Sequence, residues 1–263
     1  MLISGLASGF IAGLLGVGGG IILVPVLYSV FTLLEVNETL VMHLSVGTSL
    51  ATIIVTSFIS SLSHNKKNAV DLDLIKDWAA PLMVGIASGI VISNLLDGFM
   101  LTAIFASIAC LVGCNMLFKD QVIHLSEELP QGSVKFFIAW IIGFLSTLMG
   151  IGGGTLSVPI LNAYGYPIHR AIGSASAIGL IISIPATLGY IYNGLYTIDL
   201  PFGSFGFVNL IGFFLIAIAS SFTTPMGANL AHKLDITILK RLFGFFLLCT
   251  SLTLFYRIIP VSG

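Results

Sequence analysis

The chain has 263 residues, of which 57% are hydrophobic and 8% charged, with a net charge of −1 and a mean hydropathy of +1.09. A soluble domain of this size carries roughly 25% charged residues, so the composition excludes one and defines an all-α polytopic membrane protein. No basic cluster is large enough to suggest a nucleic-acid partner.

In chain order, residues 2–34 form an apolar run with a glycine cluster at its centre, closed by the polar loop of Glu35, Asn37 and Glu38. Residues 39–62 make the next span, followed by a polar run to Asp77. Residues 78–96 and 99–118 are two further spans, joined by a tight Asp97-Gly98 turn. Residues 119–133, with Glu127, Glu128, Pro130 and Gly132, read as a cytoplasmic linker between the repeats 1–118 and 134–263. The second repeat holds another glycine-broken run to Tyr164, a span over 171–192, a loop containing Asp199, and spans over 205–231 and 238–259. The N-terminus lacks the positive region of a cleaved signal, so the first apolar segment is expected to stay.

The two broken runs match residue by residue. Phe10-Ile-Ala-Gly-Leu-Leu-Gly-Val-Gly-Gly-Gly-Ile-Ile-Leu-Val-Pro-Val-Leu27 aligns with Phe144-Leu-Ser-Thr-Leu-Met-Gly-Ile-Gly-Gly-Gly-Thr-Leu-Ser-Val-Pro-Ile-Leu161. Three adjacent glycines make a poor helix, each costing about 1 kcal/mol relative to Ala. Non-helical backbone survives at membrane depth only where it is buried in protein or lines a wet cavity. A broken segment present once in each half is the best sequence pointer to a transporter's binding site. The repeat continues beyond the glycines, since Val46–Ala51 matches Ile172–Ala177 and Asp97–Phe105 matches Asp235–Phe243.

Two topologies compete. If all eight segments cross, Lys and Arg divide six to four between the faces. If each broken segment enters and returns, the halves are inverted and only Arg257 of the ten lies opposite the others. The second pattern is the one the positive-inside rule expects. About fourteen residues on either side of the first cluster give arms near 21 Å, too short to span. The expected fold is two inverted repeats, each a re-entrant broken helix plus three transmembrane helices.

Where the breaks meet, the arms beginning at Ile21 and Thr155 would present helix N-termini, whose first N–H groups lack intrahelical partners and which carry roughly +0.5 charge each. Gly18, Gly19, Gly20, Gly152, Gly153 and Gly154 would let successive N–H groups turn toward one anion with no Cβ in the way. Thr48, Ser49, Ser174 and Ser176 are the candidate hydroxyl donors. Close helix packing is the competing reading of the glycines, and bonding back to the preceding turn is that of the hydroxyls. Ala at Gly19 or Gly153 separates the two readings, because a cradle would lose transport while folded protein persists, and both motifs should behave alike.

No catalytic constellation emerges, since the Asp residues lie in loops or at span ends and no intramembrane His partners a Ser. No cofactor or metal is expected, and Cys110, Cys114 and Cys249 read as packing residues. A P-loop is excluded because no Lys-Ser/Thr follows the glycines.

The doubled Gly-Val-Gly-Gly-Gly/Gly-Ile-Gly-Gly-Gly with Pro25 and Pro159, and the Gly47-Thr48-Ser49 that follows, resemble the sulfite exporter TauE/SafE family of membrane transporters over the whole chain. Gly173-Ser174-Ala175 stands where the family often has Gly-Thr-Ser, which shifts the expected donors to Ser174 and Ser176. The resemblance implies a carrier of small sulfur-containing anions such as sulfite and organosulfonates, in a bacterial inner or plasma membrane. An anion channel, a carrier of a non-sulfur organic anion and a homo-oligomer all stay open at this stage.

Overall fold

The computed structural model describes residues 1–16, 18–118, 126, 129–231 and 236–258, with the side chains of Met116, Phe118, residues 236–243 and Ile258 outside the description. Most of the 119–133 linker, His232–Asp235, and the side chains of Lys240 and Arg241 therefore lie outside the described residues. Among the described residues ten helices carry the fold: α1 (Leu2–Leu15), α2 (Gly20–Leu33), α3 (Glu38–Asn65), α4 (Leu72–Leu95), α5 (Gly98–Phe118), α6 (Gly132–Met149), α7 (Gly154–Ala163), α8 (Ile168–Gly194), α9 (Leu210–Leu230) and α10 (Ile236–Ile258). Large apolar side chains such as Leu95, Leu111, Leu188, Phe214, Phe222 and Leu252 are exposed on helix after helix, which a bilayer-embedded surface explains.

Among the described residues, α3, α4, α5, α6, α8 and α9 are long and apolar enough to cross a membrane. The arms of the first broken segment have 14 residues each, about 21 Å. The second is uneven, with 18 residues in α6 and 10 in α7.

Two elements differ from the sequence expectation. α4 begins at Leu72, inside the run read as polar loop, because the Asp71 carboxylate accepts the N–H groups of Asp73 and Leu74 and caps the helix there. The span read from residue 205 begins instead with a small hairpin, β1 (Ser204–Phe205) and β2 (Val208–Asn209). Gly203 and Gly206, at φ +79 and +55, allow its turns. Asn209 then caps α9 by accepting the Gly212 N–H.

Small residues set the packing. On α1, methyl groups placed on Gly5, Gly9 and Gly13 would meet Ile216, Ser220 and Thr224 of α9 at 3.1 Å or less, so the two helices run in parallel at backbone contact. α6 lies on α4 in the same way, with Gly143 against Leu82 and Gly85 against Trp140. Each half thus lays the first arm of its broken segment on a span of the other half. α3 and α8 pack together at the centre, and α5 pairs with α10.

The first break turns the chain back on itself. Gly19 abuts the Ser8 carbonyl, where a methyl would lie 2.7 Å away. Leu23, Leu27 and Phe31 then cluster with Ile216, which also meets Gly5. α2 therefore returns along the molecule toward the level at which α1 began.

Candidate functional site

The breaks are built from left-handed glycines. Gly16 ends α1 at φ 65, ψ 18, and Gly150 ends α6 at φ 65, ψ 35. Gly19 caps the start of α2 at φ 77, and Gly153 that of α7 at φ 71. Any other L-residue is strained in this region. α2 and α7 start one residue earlier than expected, at Gly20 and Gly154, so Ile21 and Thr155 are their second residues. In the first turns, the N–H groups of Ile22 and Leu23 converge on the Gly19 carbonyl and those of Leu156 and Ser157 on the Gly153 carbonyl. Gly154 N–H bonds the Gly152 carbonyl.

The two breaks touch. A methyl on Gly18 would lie 3.4 Å from Gly152 Cα, and one on Gly20 would lie 2.3 Å from the Gly150 carbonyl oxygen. The crossing sits midway along the two central helices: Gly18 abuts Ile53 and Ser57 of α3, and Gly179 of α8 abuts the Gly152 carbonyl.

The expected hydroxyls divide. Ser49 Oγ donates to the Gly150 carbonyl at 2.8 Å and thereby reaches the crossing. Thr48 Oγ1 accepts the Asn209 N–H at 2.9 Å, and Ser174 Oγ accepts the Asp71 N–H at 2.9 Å. Those two residues cap α9 and α4, so Thr48 and Ser174 perform one structural task in the two halves. Beside them, Gly47 and Gly173 pack on the carbonyls of Phe207 and Ala69. Ser176 Oγ bonds back to the Gly173 carbonyl at 2.6 Å.

Other polar groups at the crossing escaped the sequence reading. Thr56 Oγ1 donates to the Gly18 carbonyl at 2.9 Å, Ser60 Oγ to the Ala12 carbonyl at 3.4 Å, and His64 Nε2 lies 3.0 Å from the Gly13 carbonyl. They stand at i, i+4 and i+8 on α3, one face of the helix, and satisfy carbonyls that the end of α1 and the break after it leave open. That spacing within an apolar span was the available signal.

Ser57, Ser146 and Thr155 are buried at 0%, 0% and 5% exposure, and their hydroxyls have no hydrogen-bond partner. Ser57 Oγ lies 3.1 Å from where a methyl on Gly18 would sit and 2.7 Å from one on Gly179. Ser146 Oγ lies 3.7 Å from the corresponding point on Gly153. Among the described residues no cluster of His, Cys, Asp or Glu could hold a metal ion.

A second polar cluster joins the halves away from the crossing. The Asp71 carboxylate accepts from the Tyr166 hydroxyl and, at 2.7 Å, from Arg170 Nη2, whose guanidinium stacks on the Tyr166 ring. Burial and the adjacent Asp71 push the Tyr166 phenol up to about 12. At Asp71 burial acts upward, but the Tyr166 hydroxyl, the N–H groups of Leu74 and Asp73 and the Arg170 charge outweigh it, leaving the carboxyl below its usual range.

A helical bundle with an apolar exterior and two broken helices crossing at its centre belongs to the class of multi-pass membrane transporters. The family model of the sulfite exporter TauE/SafE matches residues 1–254. The chain belongs to that family. It is 34% identical over 260 residues to a probable membrane transporter protein of Haemophilus influenzae, covering 97% of each chain. A probable membrane transporter protein of Methanocaldococcus jannaschii is 27% identical over 250 residues, covering 89% of this chain and 86% of that one. The probable membrane transporter protein YunE of Bacillus subtilis is 25% identical over 213 residues, covering 74% and 78%. No solved structure matches the chain.

Proposed function

We propose that the protein is a secondary transporter that moves a small anion, a sulfur-containing oxyanion such as sulfite or an organosulfonate, across the cell membrane by alternating access. The observation that carries this reading is the contact between the breaks. Two helix starts, at Gly20 and Gly154, converge on touching backbone midway along α3 and α8, with no Lys or Arg in either break or in the helices that begin there. Helix N-termini favour anions by their unpaired N–H groups and dipoles, and half-helices meeting at the midplane suit a carrier. The proposed motion rocks one repeat against the other about this crossing.

The reconstituted protein is expected to give saturable uptake of radiolabelled sulfite or taurine, with counterflow from vesicles preloaded with unlabelled substrate. Flux that rises linearly with concentration and shows no counterflow would establish a channel instead.

Inversion of the repeats is part of the proposal. Arg170 pairs with Asp71, the cap of α4, and Lys135 with Asp77 in its second turn, whereas Arg257 lies over Tyr28 in the second half of α2. That Arg170 and Lys135 share the end where α4 begins supports the inversion. A Cys placed beside Arg170 should resist an impermeant thiol reagent in intact cells, and one beside Asp199 should react. Labelling beside Arg170 would restore eight plain crossings.

A further inference from the structure

The two breaks match in backbone but not in side chains. We infer that the anion is held on the second break, at the start of α7, by the hydroxyls of Ser57, Ser146 and Thr155. This assignment rests on the anion-carrier reading above.

All three hydroxyls are buried and unpartnered. Buried hydroxyls are normally hydrogen-bonded, and leaving one unpaired is costly. Three at one crossing need a common explanation, and a ligand that accepts from each supplies it. They come from three helices: Ser57 from α3, Ser146 from the last turn of α6, and Thr155 from the first turn of α7. Ser57 is the member that touches both halves, meeting Gly18 on one side and Gly179 on the other.

The motif alignment places Ala12 opposite Ser146 and Ile21 opposite Thr155. The first break therefore offers apolar groups where the second offers donors. On α3, Thr56 and Ser60 are already committed, to the Gly18 and Ala12 carbonyls, whereas Ser57, between Gly18 and Gly179, keeps its hydroxyl unpartnered. Spare donor capacity lies on the α7 side.

Three donors from three helices match an anion with three acceptor oxygens around one centre, as in sulfite or a sulfonate head group. A planar carboxylate has two. Hydroxyls and helix N–H groups supply the recognition without a cationic side chain, so the anion keeps partners it can leave during transport.

The test is thermal unfolding of the purified full-length protein with and without sulfite, methanesulfonate or acetate. Ser57→Ala, Ser146→Ala and Thr155→Val are compared with Thr102→Val, whose hydroxyl bonds back to the Gly98 carbonyl far from the crossing. Each of the three site variants should melt at or above the wild-type temperature without anion, because no hydrogen bond is lost. Each should also raise the apparent Kd for sulfite and methanesulfonate about tenfold, as loss of one bond to a charged group does. Thr102→Val should keep the full anion-induced shift. Site variants that melt lower without anion yet keep that shift would show the hydroxyls to be structural, which overturns the assignment and leaves the carrier reading intact. Stabilisation by acetate equal to that by sulfite would overturn the three-oxygen selectivity. A wild-type protein that no anion stabilises would remove the carrier reading, and this assignment with it.

Discussion

Gly20→Ala is expected to destabilise the protein by about 1–3 kcal/mol, the usual cost of forcing a methyl into a filled interior, and to abolish transport by the molecules that still fold. The new methyl would lie 2.3 Å from the Gly150 carbonyl oxygen, 2.6 Å from Ile53 Cδ1 and 3.0 Å from Ile151 Cα. Two of these are backbone atoms of the opposite half, so the halves must separate to admit it. Gly20 is the cleanest position for this experiment because it is not among the left-handed glycines and is the first residue of α2. Helix propensity there favours Ala by up to about 1 kcal/mol, so any net loss reports the crossing itself.

Gly19 and Gly153 are poorer tests than the sequence suggested. At φ +77 and +71, Ala costs about 1–2 kcal/mol from backbone strain alone, and at Gly19 the methyl also meets the Ser8 carbonyl. Folded protein should therefore fall in both variants, and loss of transport would not separate a cradle from a packing contact. Gly132→Ala supplies the control, with φ +59 but nothing within 4 Å. It should lose stability by strain and keep transport per folded molecule. Gly20→Ala with unchanged melting and full transport would show that the breaks do not meet.

Asp71→Ala should cost about 2–4 kcal/mol in unfolding free energy. Loss of the α4 cap accounts for about 1 kcal/mol, and loss of a charged acceptor for the Tyr166 hydroxyl about 1.5–3 kcal/mol. The Arg170 pair adds little, because the guanidinium is half exposed and exposed pairs are screened. The pH dependence has a definite sign. Asp71 is held below its usual range, so its contribution is present above the unfolded carboxyl value and lost as pH falls through the folded one. Tyr166 is pushed up to about 12, so its contribution is present below about 10 and lost as pH rises from there toward 12. The cluster is therefore fully formed across the neutral range. In Tyr166→Phe the alkaline loss of stability should disappear while the acid limb from the cap persists. An alkaline limb identical to wild type would mean that Tyr166 does not engage Asp71. Because this cluster joins the α3–α4 connection to the start of α8, Asp71→Ala should also change transport rate, read against substrate affinity in the same vesicles.

Much of this protein is set by local sequence. Apolar runs bounded by polar loops place the long helices, because a segment of about 20 apolar residues has one low-energy arrangement in a bilayer. The glycine clusters fix both breaks, since helix continues poorly through three glycines and Gly16, Gly19, Gly150 and Gly153 supply the left-handed angles that end one arm and begin the next. The doubled motif alone located the crossing in the sequence. Asp71 was harder to place, because a carboxylate in a polar run reads as loop until its bonds to Asp73 and Leu74 show that it starts a helix.

Tertiary structure decided the partners. Thr48 and Ser174 look alike in sequence, and only the fold shows each accepting an N–H from the residue that caps a helix of the other half. Ser57 and Ser146 are ordinary serines of apolar helices, where a hydroxyl usually bonds back to its own preceding turn. That these two do not is a property of what surrounds them. Periodicity assigns a residue to a face of its helix but not to what that face meets. The pairing of α1 with α9 and of α6 with α4 joins segments far apart in sequence, and it is this long-range packing that turns two glycine-rich breaks into one crossing.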